Sequence, residues 1–232
     1  MTTVDAVDHS VLDNPVWASL AGAHARFADV HGRAARYPGD VALFHALSDL
    51  TDPLAWADLA ALVGTGARIA VAGASGDPFP GWAVDATIAG VQLVDVSLRA
   101  ASDPEATVLT AADVPEMLEL IARCRPGPFL PRTIELGTYL GLRQHGELIA
   151  MAGERLHPPG WTEISAVCTD PAHRGRGLAT RLIRAVAAGI RERGETPFLH
   201  TGAANTTAIR LYESIGFRLR RRTNFGSYRC LG

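Results

Sequence analysis

The stretch "AVCTDPAHRGRGLATRLI", residues 166–183, constrains the fold more than any other part of the chain. It reads as the end of an apolar strand, a turn with glycines at 175 and 177, and then the start of an amphipathic helix. A strand that feeds a helix through a glycine turn belongs to an α/β architecture. The turn is also a place for an anion. The first amides of a helix have no partners inside it, the helix dipole adds partial positive charge, and glycine removes the Cβ that would hold a ligand away.

Several phosphate ligands use this device. A Walker loop needs Gly-Lys-Ser/Thr, and no lysine follows Gly177. A dinucleotide fingerprint needs a third glycine three residues after Gly177, where the chain has Thr180. On the glycines alone, a plain charged surface turn competes equally with an anion site.

The flanks extend the α/β pattern in both directions. Helices with a proline just inside a capping residue are predicted at "LDNPVWASLAG", capped by Asp13 or Asn14, and at "DPLAWADLAALVG", capped by Asp52 and stopped by Gly64. Strand-like runs lie at 41–47, 68–74 and 91–98, with "SGDPFPG" (75–81) as punctuation. The polar segment "RAASDPEAT" (99–107) is the best boundary. After it come a helix at 110–124 behind Asp113, a Pro/Gly-rich loop at 125–133 and a hairpin over 139–156. A strand at 162–169, a helix at 178–193, a strand at 196–203, a helix at 205–217 and a final strand pair complete the order. The predicted organisation is an α/β domain with one mixed sheet over 107–232, preceded by a smaller α/β domain over 1–106.

The charge balance, 22 basic against 24 acidic residues, gives no support to a nucleic-acid-binding surface. The N-terminal stretch lacks a signal-peptide pattern, and no apolar run approaches the roughly 20 residues that span a bilayer. Cys124, Cys168 and Cys230 form neither a disulfide framework nor a zinc spacing. These observations predict a cytoplasmic protein with no metal and no membrane partner.

"AVCTDPAHRGRGLATRLI", followed some thirty residues on by "NTTAIRLYESIGF", resembles the GCN5-related N-acetyltransferase (GNAT) family, within it the FR47-like subgroup. The resemblance covers about 107–232 and implies the GNAT fold, a mixed, splayed β-sheet flanked by helices. It leaves room for the first half to be a degenerate GNAT-like unit. It also implies acetyl-CoA as co-substrate, with the pantetheine arm along the strand edge at Val167, Cys168 and Thr169. The pyrophosphate would lie on Arg174, Gly175, Arg176, Gly177, Leu178 and Ala179, with His173 beside it.

By the same resemblance Tyr212 protonates the departing thiolate and Asn205 touches the pantetheine or acetyl end; Asn205 is also a natural helix N-cap. Tyr212 shares a helix stripe with Ala208, Leu211 and Ile215, so spacing alone allows a core tyrosine. The attacking amine must lose a proton, which points to a carboxylate, Glu163 on the flanking strand, with Glu135 as competitor. Phe129, Arg132 and Glu135 are assigned to the acceptor pocket. Cys168 between Val167 and Thr169 reads as core rather than as a nucleophile, and Arg218, Arg220, Arg221 and Arg222 as a solvated strand edge. The reading is N-acetyltransfer to a small-molecule or peptide amine, against an acyl-CoA sensor without turnover. Monomer and homodimer are equally open.

Overall fold

The computed structural model describes residues 9–74 and 78–232, so the predicted turn at 75–81 lies partly outside the described residues. In chain order the elements are α1 (Pro15–Leu20), β1 (Asp29–His31), β2 (Ala34–Arg36), β3 (Phe44–Leu47), α2 (Pro53–Val63), β4 (Arg68–Ala72) and β5 (Trp82–Asp95). They continue with β6 (Thr107–Val108), α3 (Val114–Cys124), β7 (Tyr139–Gln144), β8 (Glu147–Glu154), β9 (Trp161–Thr169), α4 (Leu178–Glu192), β10 (Thr196–Gly202), α5 (Thr206–Ile215) and β11 (Phe217–Cys230).

Local chemistry fixes most of these boundaries. Asp52 caps α2 by accepting from the Leu54 amide at 2.9 Å. Asn205 caps α5 in the same way through Ala208, at 3.2 Å. Gly216, at φ 115°, turns the chain out of α5 in the left-handed conformation that a side chain resists. Asn14 precedes α1 without capping it; its amide donates instead to Leu47 O at 2.7 Å. At the start of α3, Thr110 and Asp113 form a reciprocal capping box rather than a cap by Asp113 alone.

The strands make one sheet in the order β1-β2-β3-β4-β11-β5-β10-β9-β8-β7-β6. The final strand pair predicted after α5 is instead a single long strand, β11. It needs no hairpin because its partner is β5, paired antiparallel from Phe217↔Asp95 to Cys230↔Trp82. β5 thus comes from the first half of the chain but lies between β10 and β11. The connection over 96–106 crosses α4, where the Ala101 amide donates to Arg184 O at 3.2 Å and Arg181 grips Asp103 and Glu105. The proposed boundary at 106/107 falls at the end of this crossing, and the sheet itself is continuous across it.

α4 and α5 cover one face of the sheet, with Leu182, Ile183, Val186 and Ile190 against Leu93, Ile164 and Leu199. On the opposite face α3 packs Met117 and Leu120 on Tyr139, Met151 and Cys168. Leu12, Val16 and Leu20 pack on Val94, Trp161 and Phe198 of that same face. Among the described residues no helix is long and apolar enough to cross a membrane.

Candidate active site

β9 and β10 run parallel and pair only at their starts, Trp161↔Thr196, Thr162↔Pro197 and Glu163↔Phe198. Beyond Glu163 the two strands separate into a V. On the β9 side the register against β8 slips between Met151 and Gly153, and Ala166 takes φ 51°, a bulge that bends the strand away from β10. Cys168 pairs with Met151, and its thiol, raised by burial, points into the α3 side of the core. The Asp170 amide bonds Ile149 O at 2.8 Å, so neighbouring Thr169 turns its peptide groups to the open edge. The Thr169 carbonyl takes the Arg174 Nε–H there, at 3.3 Å. Val167 lies at the bulge, half-buried.

The glycine turn closes the top of the V. Gly175 and Gly177 sit at φ 76° and 74°, and a Cβ on either would meet open space, so the surface above them is clear for a ligand. Gly177 is the N-cap of the fifteen-residue α4 and supplies no side-chain hydrogen bond, which leaves the amides of Leu178, Ala179 and Thr180 bare. Arg176 is held from behind by Gln144, at 2.8 Å, and by His173, at 2.9 Å. Residues 174–179 therefore form one contiguous, positively biased surface with bare amides.

Tyr212 is buried on α5, edge-on to Phe217, and its hydroxyl has no hydrogen-bond partner among the described residues. Burial alone raises its phenol to about 12, so it stays protonated and can act as a donor. Asn205 lies at the N-terminal cap of α5, about two turns before Tyr212, its Nδ2 at 3.4 Å from Thr201 Oγ1.

Glu163 departs from the role the sequence reading gave it. It is fully buried, with both oxygens engaged: Oε2 accepts from Arg155 Nε at 2.8 Å, and Oε1 accepts from Arg155 Nη2 and His200 Nδ1, both at 2.7 Å. Burial pushes its pKa up, but Arg155 outweighs that and, with His200, holds the carboxyl at about 2. A carboxylate of such low proton affinity is a weak base; this geometry makes it an anchor.

The network continues. His200 Nε2 lies 3.0 Å from the Gln92 amide nitrogen, whose oxygen accepts from Arg220 at 2.9 Å. Because Arg220 fixes which end of Gln92 is oxygen, the amide donates to His200 Nε2 and leaves the proton on Nδ1, facing Glu163. Arg220 and Arg221 both reach Asp13 at 2.7 Å, so half of the predicted solvated arginine cluster is paired, while Arg218 and Arg222 are exposed. Arg155, His200 and Gln92 carry no signal in their own segments, and Arg220, expected on a solvated edge, instead joins this network. The available signal was parity: His200 shares a face with Phe198, and Glu163 with Trp161.

The residues assigned to the acceptor separate. Phe129 is buried against Tyr139, with ring centroids 5.4 Å apart. Arg132 and Glu135 are exposed and neutralise each other at 2.7 Å, and Arg132 also reaches Asp40, strapping the loop after α3 to the first half. A cavity of about 720 Å³ lies in the first half among Tyr37, Leu43, His45 and Ile69 and contains none of the predicted site residues.

A parallel strand pair splayed beside a bare helix N-terminus, with a phenol on the next helix, is the arrangement implied by the resemblance to the acetyltransferases. Residues 139–225 match the FR47-like protein family. The chain is 37% identical over 128 residues to the N-alpha-acetyltransferase RimI of Mycobacterium tuberculosis, covering 49% of this chain and 80% of that one. Over a shorter span of 56 residues it is 46% identical to the mycothiol acetyltransferase of Thermobispora bispora, covering 24% of this chain and 19% of that one. Among solved structures, an acetyltransferase of the GNAT family from Novosphingobium aromaticivorans superposes with a TM-score of 0.86 at 40% identity, covering 96% and 99% of the two chains. The chain belongs to the GCN5-related N-acetyltransferase family and is an acetyltransferase.

Proposed function

We propose that the protein transfers the acetyl group of acetyl-CoA to a primary amine by direct attack within a ternary complex. The observation that carries this reading is the continuity of the V with the bare amides of α4, because a thioester arm and its pyrophosphate require both in line. The amides of residues 174–179 would hold the pyrophosphate, and the open edge at Val167 and Thr169 would hold the arm. The acceptor nitrogen, entering as the neutral amine, bonds to the acetyl carbon as the carbon–sulfur bond breaks; Tyr212 gives its proton to the departing thiolate, and the proton the nitrogen sheds passes to solvent, from which the phenol is restored. Glu163 holds Arg155 and His200 in place beneath the reacting atoms. The three free cysteines fit a reducing compartment such as the cytoplasm.

We read the first half as a degenerate copy of the same unit. β1-β2-β3-α2-β4 repeats the order β7-β8-β9-α4-β10, and each half passes its last strand to the other: β11 pairs with β4, and β5 with β10. Ahead of α2 the glycine turn is replaced by "SDLTDP", where Asp49 and Asp52 would repel a phosphate. One catalytic site per chain follows, with the first half as its support.

The acceptor class is tested first with short peptides bearing a free α-amine, as the mycobacterial relative's name suggests, then with amino acids, polyamines and aminoglycosides. The assay is thiol release from acetyl-CoA, with Tyr212→Phe as control. Binding of acetyl-CoA with no amine turned over would favour a sensor; no binding would remove both readings.

A further inference from the structure

We propose that the acceptor enters on the face of the sheet that carries α3, over Gly202, and that the Phe225 ring selects an amine borne beside an apolar group; this rests on the acetyltransfer reading above. The bare amides of α4 and Tyr212 of α5 belong to the other face, which leaves the α3 face of the V for the acceptor. His200 lies on it, two residues from Phe198 on the same strand, and Gln92 meets it there. Two residues from each, towards the open end of the V, Gly202 and Gly90 pair across β10 and β5. A Cβ on Gly202 would meet nothing within 4 Å, so the floor is clear at that point. A Cβ on Gly90 would collide with the Phe225 ring. One glycine therefore seats the ring, and its neighbour leaves the place beside it empty.

The ring reaches from β11 across β5, and its centroid stands 5.9 Å from that of His200, edge-on. It is half-buried, and Ile88, its cross-strand partner, is 62% exposed. The two make an accessible apolar surface at the mouth of the V, where an acceptor's side group can be removed from water beside a bare floor. Charge narrows the class. Glu163 is held by Arg155 and His200, and Asp13 by Arg220 and Arg221. Both carboxylates of the network are thus matched, and a second cationic group on the acceptor would find no counter-charge in them. A single primary amine on an apolar stem fits this place, and a polyamine or an aminoglycoside does not.

The test is thiol release from acetyl-CoA with tripeptides that differ only in their first residue, Gly, Leu or Phe, and with spermidine and an aminoglycoside. The expected result is a kcat/KM about tenfold higher for the Leu and Phe peptides than for the Gly peptide, the worth of one side group removed from water. Phe225→Ala should lose that preference. Gly202→Val, whose Cβ has open space, should raise the KM of the Leu and Phe peptides about tenfold and leave acetyl-CoA affinity, read by direct titration, within about twofold. Equal rates on the three peptides, faster turnover of spermidine or the aminoglycoside, or a preference that survives both substitutions would overturn the assignment and leave acetyltransfer standing. If the wild type turns over no amine, the acetyltransfer reading falls and takes the assignment with it.

Discussion

Lowering the pH from 7 to 5 should weaken the fold through His24, a histidine at the seam between the two halves of the chain. It is 3% exposed, with Nδ1 2.9 Å from the Tyr37 hydroxyl and Nε2 3.2 Å from Leu136 O. Its ring centre lies 5.1 Å from that of His157. Burial, and next the neighbouring His157, lower its pKa from 6.5 to about 4. A folded pKa below the unfolded one means that the unfolded chain takes the proton first. The contribution is therefore whole above 6.5 and is lost as the pH falls towards 4. At pH 5 the unfolded imidazole is almost fully charged and the folded one almost fully neutral, a difference of about 2 kcal/mol from this one group. Urea midpoints at pH 7 and pH 5 measure it. His24→Gln should flatten the pH dependence by about that amount, whatever it does to stability at pH 7. Equal pH dependence in wild type and variant would refute the reasoning, and the titrating group would then lie elsewhere, with His45, also lowered to about 4, the next to replace.

Tyr212→Phe should reduce kcat by about 10²-fold, the lower end for a lost proton donor, while acetyl-CoA affinity stays within a few-fold; an unchanged kcat would remove the donor role. Gly177→Ala has room for its methyl but must hold φ 74°, so it should cost about 1–2 kcal/mol of strain or move the bare amides, and raise the KM for acetyl-CoA in either case. Glu163→Gln separates anchor from base. An anchor leaves Arg155 buried without its anion and costs about 3–5 kcal/mol in a melt, whereas a base would lose kcat with stability intact.

The site was legible where it is made by neighbours in sequence. Gly175, Gly177 and the start of α4 form the bare-amide turn because a helix N-terminus exposes its own amides whatever surrounds it. Asn205 and Gly216 frame α5 for the same local reason. Tyr212 was placed on the inner stripe by helical spacing, although spacing did not say that its hydroxyl would be left without a partner. Arg132 and Glu135, three residues apart, were taken for acceptor contacts; at that separation on a helical turn they found each other first.

Glu163 shows where the reading stopped. The strand pattern made it alternate with Ile164, but whether a carboxylate on that face meets water or a guanidinium depends on Arg155 and His200, which arrive from two other segments. The strand exchange is the same kind of fact: β5 and β11 are long strands whose own residues do not name their neighbours, and long-range backbone hydrogen bonding made the choice. By itself the sequence determined the α/β class, the glycine turn with the bare N-terminus of α4, and the helix that bears Tyr212, because these depend on contacts a few residues apart. Only the tertiary structure decided that Glu163 is buried against Arg155 and His200, and that the two halves share one sheet. Those outcomes depend on which distant groups share a small buried space, and no local pattern encodes that.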